Sequence, residues 1–277
     1  MKKVFRRAFI EITNSCNLAC GFCASSSRPG SFMPLEVFEP AAAQAGELAS
    51  VIFLHLLGEP LMHPRFPEIL GACSRLGLKV NLVTNGVLLD KFGDGIFKEK
   101  ALGQVSVSLH ALAGLPPQLR AQTLLRLTDF ALRKPHGLIV SFRLRGNPGD
   151  PFIKETKAAI LESLTLEGSY EQARDGLKLR EKVYLNFGGI FDWPGGAGGK
   201  QKKSCLGLRH HFGILCDGRV VPCCADFDGA LALGNIKEEP LAAILNSPRA
   251  LALRASIAGK TAMPGYCASC GFSAPDS

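Results

Sequence analysis

The chain has 277 residues, 47% of them hydrophobic, with 32 lysines and arginines against 24 aspartates and glutamates and a formal net charge of +8. That length and apolar content exclude wholesale disorder and suit one large domain, or one domain with a small appendage. The basic residues are dispersed, and the densest runs, "MKKVFRR" at the start and "GGKQKKS" at 198–204, lack the interleaved aromatics of a single-strand nucleic-acid surface, so no nucleic-acid partner is indicated.

The start, "MKKVFRRAFIEI", is basic, but its apolar segment is too short for a secretory signal and carries Glu11. "AFIEIT" (8–13) alternates as a strand does. "MPLEVFEPAAAQAGELA" (33–49) reads as a helix, with Pro34 near its start and Pro40 as an expected kink. "VIFLHLL" (51–57) reads as a buried strand and is far short of the ~20 residues of a membrane span. The loop "GEPLMHP" leads to a helix over 65–77 that ends at Gly77. Strands follow at 79–86, 104–111 and 138–146, with a strongly periodic helix at 116–134 between the last two. A helix near 153–166 and a strand near 182–187 complete a sixth unit. Alternating strands and helices predict an α/β fold with a parallel sheet, either doubly wound or a partial (β/α)6 TIM-like barrel. In a barrel, the distinctive polar clusters at successive strand ends would surround one mouth.

"DWPGGAGGKQKKS" (192–204) reads as a linker. Beyond it come six of the ten cysteines, a hairpin turning at Asp217-Gly218, and short helices near 240–257. The expected division is therefore a core over 1–191, the Gly-rich linker, and a small metal-held domain over 205–277. With no signal and no span, a cytoplasmic location is expected. In a reducing compartment ten cysteines point to metal ligation or redox chemistry over disulfides.

"CNLACGFC" places Cys16, Cys20 and Cys23 at C-x3-C-x2-C spacing directly after the first strand. Thiolates favour soft metals and iron–sulfur clusters. Three cysteines on a four-iron cubane leave one iron open for a substrate or cofactor. Taken alone, the spacing also allows zinc or iron with a fourth ligand such as His55 or Cys73.

With "TNSCNLACGFC" after the first strand and "GEP" at Gly58, Glu59 and Pro60 after the second, the chain resembles the radical S-adenosylmethionine (radical SAM) superfamily over residues 8 to about 190. The resemblance implies a [4Fe–4S] cluster on Cys16, Cys20 and Cys23 whose open iron is chelated by SAM. Reductive cleavage of SAM would yield a 5′-deoxyadenosyl radical that abstracts hydrogen from substrate. It also implies that Phe22 packs near adenine, that Gly58, Glu59 and Pro60 receive the methionyl amino group, and that Asn85, Ser106 and Ser108 contact SAM. Arg143 or Arg145 would pair with its carboxylate. The plain alternatives are core packing for Phe22, a turn role for Asn85 and ordinary strand polarity for the serines. His110 departs from the acidic residue often found after that strand. His55 and His63 have no assigned role.

The tail phrases "DGRVVPCC", "LGNI" and "ILNSP" resemble the SPASM/twitch extension of radical SAM enzymes in its short form. This implies one auxiliary [4Fe–4S] cluster on Cys205, Cys223, Cys267 and Cys270, leaving Cys73, Cys216 and Cys224 as ordinary residues. A zinc ribbon is the alternative for the C-x2-C pair. Relatives of this kind modify peptides or oxidise small molecules such as aminosugars, with a reductant such as ferredoxin or flavodoxin as partner. A glycyl-radical activating enzyme would carry extra ferredoxin-like cysteines near the first motif. The molybdenum-cofactor cyclases typically end in Gly-Gly, where this chain ends "APDS". A non-catalytic metal scaffold would leave Glu59, the serines and the arginines without a purpose.

Overall fold

The computed structural model describes residues 3–166, 168–190, 192–195 and 205–272. The greater part of the expected linker, 196–204, lies outside them. In chain order the elements are β1 (Phe5–Ile10), α1 (Leu35–Leu48), β2 (Ala49–Phe53), α2 (Phe66–Arg75), β3 (Val80–Thr84), β4 (Leu102–Ser108), α3 (Pro117–Arg133), β5 (Ile139–Arg145) and α4 (Pro151–Leu164). Then come β6 (Glu171–Ala173), β7 (Gly176–Arg180), β8 (Val183–Gly188), β9 (His211–Ile214), β10 (Arg219–Val221) and β11 (Gly234–Asn235). Three helices close the described chain: α5 (Leu241–Leu245), α6 (Pro248–Ile257) and α7 (Gly265–Ala268). No helix among the described residues is long and apolar enough to cross a membrane.

The chain divides into two compact units, one of Met1–Cys16, Ala24–Lys79 and Phe191–Ser277, the other of Asn17–Cys23 and Val80–Ile190. The first unit carries the strand order β11-β10-β9-β1-β2. Within it β1 pairs in parallel with both β2 and β9, while β10 and β11 continue antiparallel. Strand β9 thus brings the tail into the same sheet as the first strand. Its Phe212 is fully buried and stands edge-on to Phe5 at 5.0 Å between centroids. The expected hairpin turn is present, with Gly218 at φ +94° where a left-handed residue is needed.

The second unit carries β3-β4-β5-β8 in parallel and then β7 and β6 antiparallel. Every residue of β3 is buried, as a parallel strand covered on both faces should be. The short β6–β7 hairpin lies between α4 and β8, where the sequence reading placed no strand. Strand β6 is exposed or half-exposed, and β7 buries only Leu177 and Leu179 in alternation, too short a pattern to stand out as a strand in the sequence.

Several boundaries moved. Strand β1 begins at Phe5 and stops at Ile10, and β2 begins at Ala49 and stops at Phe53, so Glu11 and Leu54–Leu57 belong to the chain leaving the sheet. Helix α1 runs through Pro40 without ending there. Helix α2 ends as expected, with Gly77 at φ +64° and its N–H on the Ser74 carbonyl.

Candidate functional site

The segment before Cys16 is built to close a loop. The Thr13 hydroxyl donates to the Ser31 carbonyl at 2.7 Å and accepts the Ser15 N–H at 3.0 Å. Asn14 donates its amide to the Pro29 carbonyl and accepts the Ser31 N–H at 2.7 Å. Residues 13–15 are therefore stapled to 29–31, and the stretch holding the three cysteines leaves and returns at one place. None of the ten cysteines is in a disulfide. Cys16 and Cys23 are exposed and Cys20 half-buried.

The loop after β2 docks on that staple in the first unit. Gly58 has φ +73°, and a Cβ there would stand 2.4 Å from the Thr13 carbonyl oxygen, so only glycine permits the approach. The Glu59 N–H donates to the Ser15 carbonyl at 2.8 Å. Its side chain is 1% exposed and accepts the Leu61 N–H at 3.1 Å, capping the short turn that begins at Pro60. Glu59 is thus a buried carboxylate held beside the chain that enters the cysteine loop, not an exposed loop acid.

The second unit holds Asn17–Cys23 against the ends of β3, β4 and β5. The Asn85 Oδ1 accepts the Val87 N–H, as a turn residue does, while its amide donates to Asn17 Oδ1 at 2.8 Å. The Cys20 thiol donates to the Ala111 carbonyl at 3.8 Å, and the Phe22 ring lies 4.8 Å from the His110 ring. His110 Nδ1 stands 3.1 Å from the Arg143 carbonyl, which makes Nδ1 the protonated nitrogen of a neutral ring. Burial pushes the His110 pKa down, and the Arg143 and Arg145 charges add to this against the hydrogen bond, leaving it at about 4. The half-buried Arg145 donates to the Phe187 carbonyl and lies over Gly188, where a Cβ would collide with it. Ser106 donates to Asn81 Oδ1 at 3.0 Å and is satisfied within the sheet; Ser108 is half-buried at the strand end. His63 is a buried structural residue, accepting the Arg65 N–H on Nδ1 and donating from Nε2 to the Met33 carbonyl. His55 packs edge-on to Phe9.

In the tail, Cys205, Cys223, Cys267 and Cys270 line one recess with Pro194, Pro222 and Tyr266. A Cβ at Gly207 would press on the Pro222 carbonyl oxygen at 3.1 Å and stand at ordinary contact distance from the Cys205 and Cys223 side chains. The Tyr266 hydroxyl donates to the Ala225 carbonyl, and burial, first among several causes, pushes its pKa well up. Cys216 and Cys224 do not line the recess. Cys224 packs against the apolar group of Phe9, Leu56, Leu215 and Val221. Cys73 is buried in α2.

Four thiols lining one recess form an all-sulfur donor set, and such a set fits an iron–sulfur cluster, which takes one thiolate per iron.

Residues 10–122 match the family model of the Radical SAM superfamily, and residues 205–271 match SPASM, an iron–sulfur cluster-binding domain. Among curated proteins the chain is 38% identical over 81 residues to a PqqA peptide cyclase of Streptomyces rochei, covering 28% of this chain and 22% of that protein. It is 37% identical over 109 residues to a GTP 3',8-cyclase of Chlorobaculum tepidum, covering 37% and 32%. The chain therefore spans a third or less of the length of these two relatives. Among solved structures, BtrN in complex with AdoMet and 2-DOIA matches with a TM-score of 0.57 at 18% identity, over 98% of this chain and 95% of that one. Streptococcus suis SuiB bound to precursor peptide SuiA matches with 0.65 at 18% identity, over 97% and 70%. The shared fold is the partial TIM barrel, an α/β fold with a parallel-rich sheet. A Radical SAM domain brings a [4Fe–4S] cluster and SAM, and a SPASM domain brings auxiliary iron–sulfur binding. With both models matched in one chain, this protein carries a Radical SAM domain at residues 10–122 and a C-terminal SPASM domain at residues 205–271.

Proposed function

We propose that the chain is a radical SAM enzyme that oxidises or otherwise modifies a peptide or small molecule, with Cys16, Cys20 and Cys23 holding the SAM cluster and Cys205, Cys223, Cys267 and Cys270 an auxiliary cluster. When bound, these groups supply one-electron reductive cleavage of SAM, hydrogen abstraction from substrate and an acceptor for the electron left behind. The protein's part is to hold and orient. The stapled residues 13–15 and 29–31 present the first three thiols on a fixed base. Glu59 offers a buried carboxylate to the methionyl ammonium. Asn85 and His110 fasten the loop through Asn17 and Phe22. Arg143 and Arg145 supply positive charge at the end of β5 for a carboxylate. The four-sulfur recess leaves no ligand position open, which suits electron transfer over substrate binding.

The observation that carries this reading is the three-cysteine loop after β1 together with a separate four-cysteine recess in the tail. A peptide substrate draws support from the PqqA peptide cyclase match and from the neighbour seen with a precursor peptide. A small-molecule substrate draws it from the neighbour covered almost end to end, seen with 2-DOIA. An electron-donor protein such as ferredoxin or flavodoxin is the expected partner. The test is anaerobic reconstitution followed by dithionite and SAM. Wild type should release 5′-deoxyadenosine and methionine, and Cys16→Ala/Cys20→Ala/Cys23→Ala should release neither while keeping the tail iron. Iron-replete wild type that cleaves no SAM, even across candidate peptides and small molecules, would leave a metal-binding scaffold.

A further inference from the structure

Glu11 is the first residue beyond β1, and its side chain is 0% exposed. Its carboxylate takes a two-pronged contact from Arg28, Nη1 at 2.7 Å and Nη2 at 2.8 Å. It also accepts the Leu57 N–H at 3.3 Å and the Cys216 N–H at 3.2 Å. Arg28, whose side chain is 9% exposed, reaches the Cys216 sulfur with Nη1 at 3.5 Å and stands 3.8 Å by Nε from Asp228 Oδ1. Ser26 donates to the same Asp228 oxygen at 2.5 Å and accepts the Arg28 N–H at 3.1 Å. Four segments of the first unit therefore meet on one ion pair. They are the end of β1, the chain that follows Cys23, the chain that enters Gly58-Glu59-Pro60, and the tail on either side of Cys223.

Stability alone does not call for this arrangement. A buried ion pair is costly to desolvate, and apolar residues of similar volume often serve a fold as well or better. A forked guanidinium–carboxylate contact does what apolar packing does not: it fixes direction and register. Two backbone N–H groups of different loops are registered on the same carboxylate. Asp228 extends the registration to the stretch after Cys223-Cys224.

We propose that Glu11 and Arg28 are positioning residues that set the Gly58–Pro60 loop and the chain leaving the three-cysteine loop against the tail, so that the geometry of the SAM site depends on the tail. This rests on the proposed function for the identity of that site. Neither residue is assigned a contact with SAM; they act through Leu57, Ser26 and Asp228.

The test uses reconstituted full-length protein and SAM itself as the probe. Glu11→Leu/Arg28→Met removes both charges together and leaves neither orphaned. It should keep its iron content and its folded circular dichroism, with a melting temperature lowered by the Leu57 and Cys216 N–H groups it leaves unpaired, yet bind SAM about tenfold more weakly well below that melting temperature, the scale seen when outer-shell partners are lost. It should also show a reduced SAM-induced change in the electron paramagnetic resonance signal of the reduced SAM cluster. Arg28→Lys keeps the charge without the fork, and Asp228→Asn trims one arm; both should move in the same direction to a smaller extent. Wild-type SAM affinity and wild-type spectral change in an iron-replete double variant overturn the proposal. If the double variant does not fold or load iron, wild-type behaviour in both single variants overturns it. A wild type that binds no SAM refutes the functional reading instead, and the positioning role falls with it.

Discussion

The Glu59 carboxylate caps the turn that follows it, so removing it has a structural consequence and, under the proposed function, a binding one as well. Glu59→Ala should weaken SAM binding by roughly 1–3 kcal/mol through the lost charge-assisted hydrogen bond. Part of any stability loss belongs to the cap, of order 0.5–2 kcal/mol. Glu59→Gln separates the two, because an amide oxygen still accepts the Leu61 N–H. Equilibrium SAM binding should fall in both variants, and the melting temperature only in the first. His110 gives a prediction in pH. Its folded pKa of about 4 lies below the ordinary 6.5, so the unfolded chain binds the proton more readily. The stability it contributes is full above pH 6.5 and is lost as pH falls toward 4, an effect on the order of 3 kcal/mol at its limit. His110→Asn, which can still donate to the Arg143 carbonyl, should show a smaller drop in melting temperature between pH 7 and pH 5 than wild type. Equal drops would assign the acid sensitivity elsewhere.

At the scale of elements, β9 ties the tail to the first strand. It pairs with β1 from Arg7↔His211 to Ile10↔Ile214. Phe212, fully buried against Phe5, is the apolar anchor of that pairing. Phe212→Ala should cost about 3–5 kcal/mol, the range for truncating a buried aromatic. It should lower the single melting transition of the first unit instead of releasing the tail alone. Two separated transitions in calorimetry would show that β9 docks without supporting β1. The Gly58–Pro60 loop is the other element with a defined physical need. Its positive φ and the nearness of the Thr13 carbonyl leave glycine as the one side chain that fits.

At the scale of the whole molecule the two sets of sulfurs should have separable roles. A filled protein should carry about eight irons per chain if both clusters are cubanes. Cys267→Ala/Cys270→Ala should lose about half of that iron, keep measurable SAM cleavage and fail to complete substrate oxidation. Circular dichroism must first show that the variant is folded, since a metal-held region can unravel without its ligands. Oxidised product at the wild-type rate from a folded variant would make the tail a structural cap or docking surface. Stoichiometric zinc with no charge-transfer absorption would instead point to a ribbon.

The local signals were legible in the sequence because they are written in neighbouring residues. The apolar periodicity of 116–134 became α3, the Gly77 stop ended α2, Asp217-Gly218 turned the tail hairpin, and the six parallel strands came from short apolar runs. The cysteine spacings and "GEP" carried the family in the same way, since a cluster loop and a tight turn each need particular residues a few positions apart. Other features depended on residues far apart in the chain. Nothing near Glu11 announces a buried partner at Arg28 or a contact with Cys216, and a lone acid in an apolar start reads as an interruption. The β6–β7 hairpin offers only Leu177 and Leu179 as buried apolar positions, too few to reveal a strand. Ser106 has the same alternation whether it faces a ligand or Asn81, and only packing chose Asn81. A parallel β1–β9 pair has no turn to set its register, so the pairing of residues about two hundred positions apart comes from which apolar faces can be buried together, and that is decided only when the chain has folded.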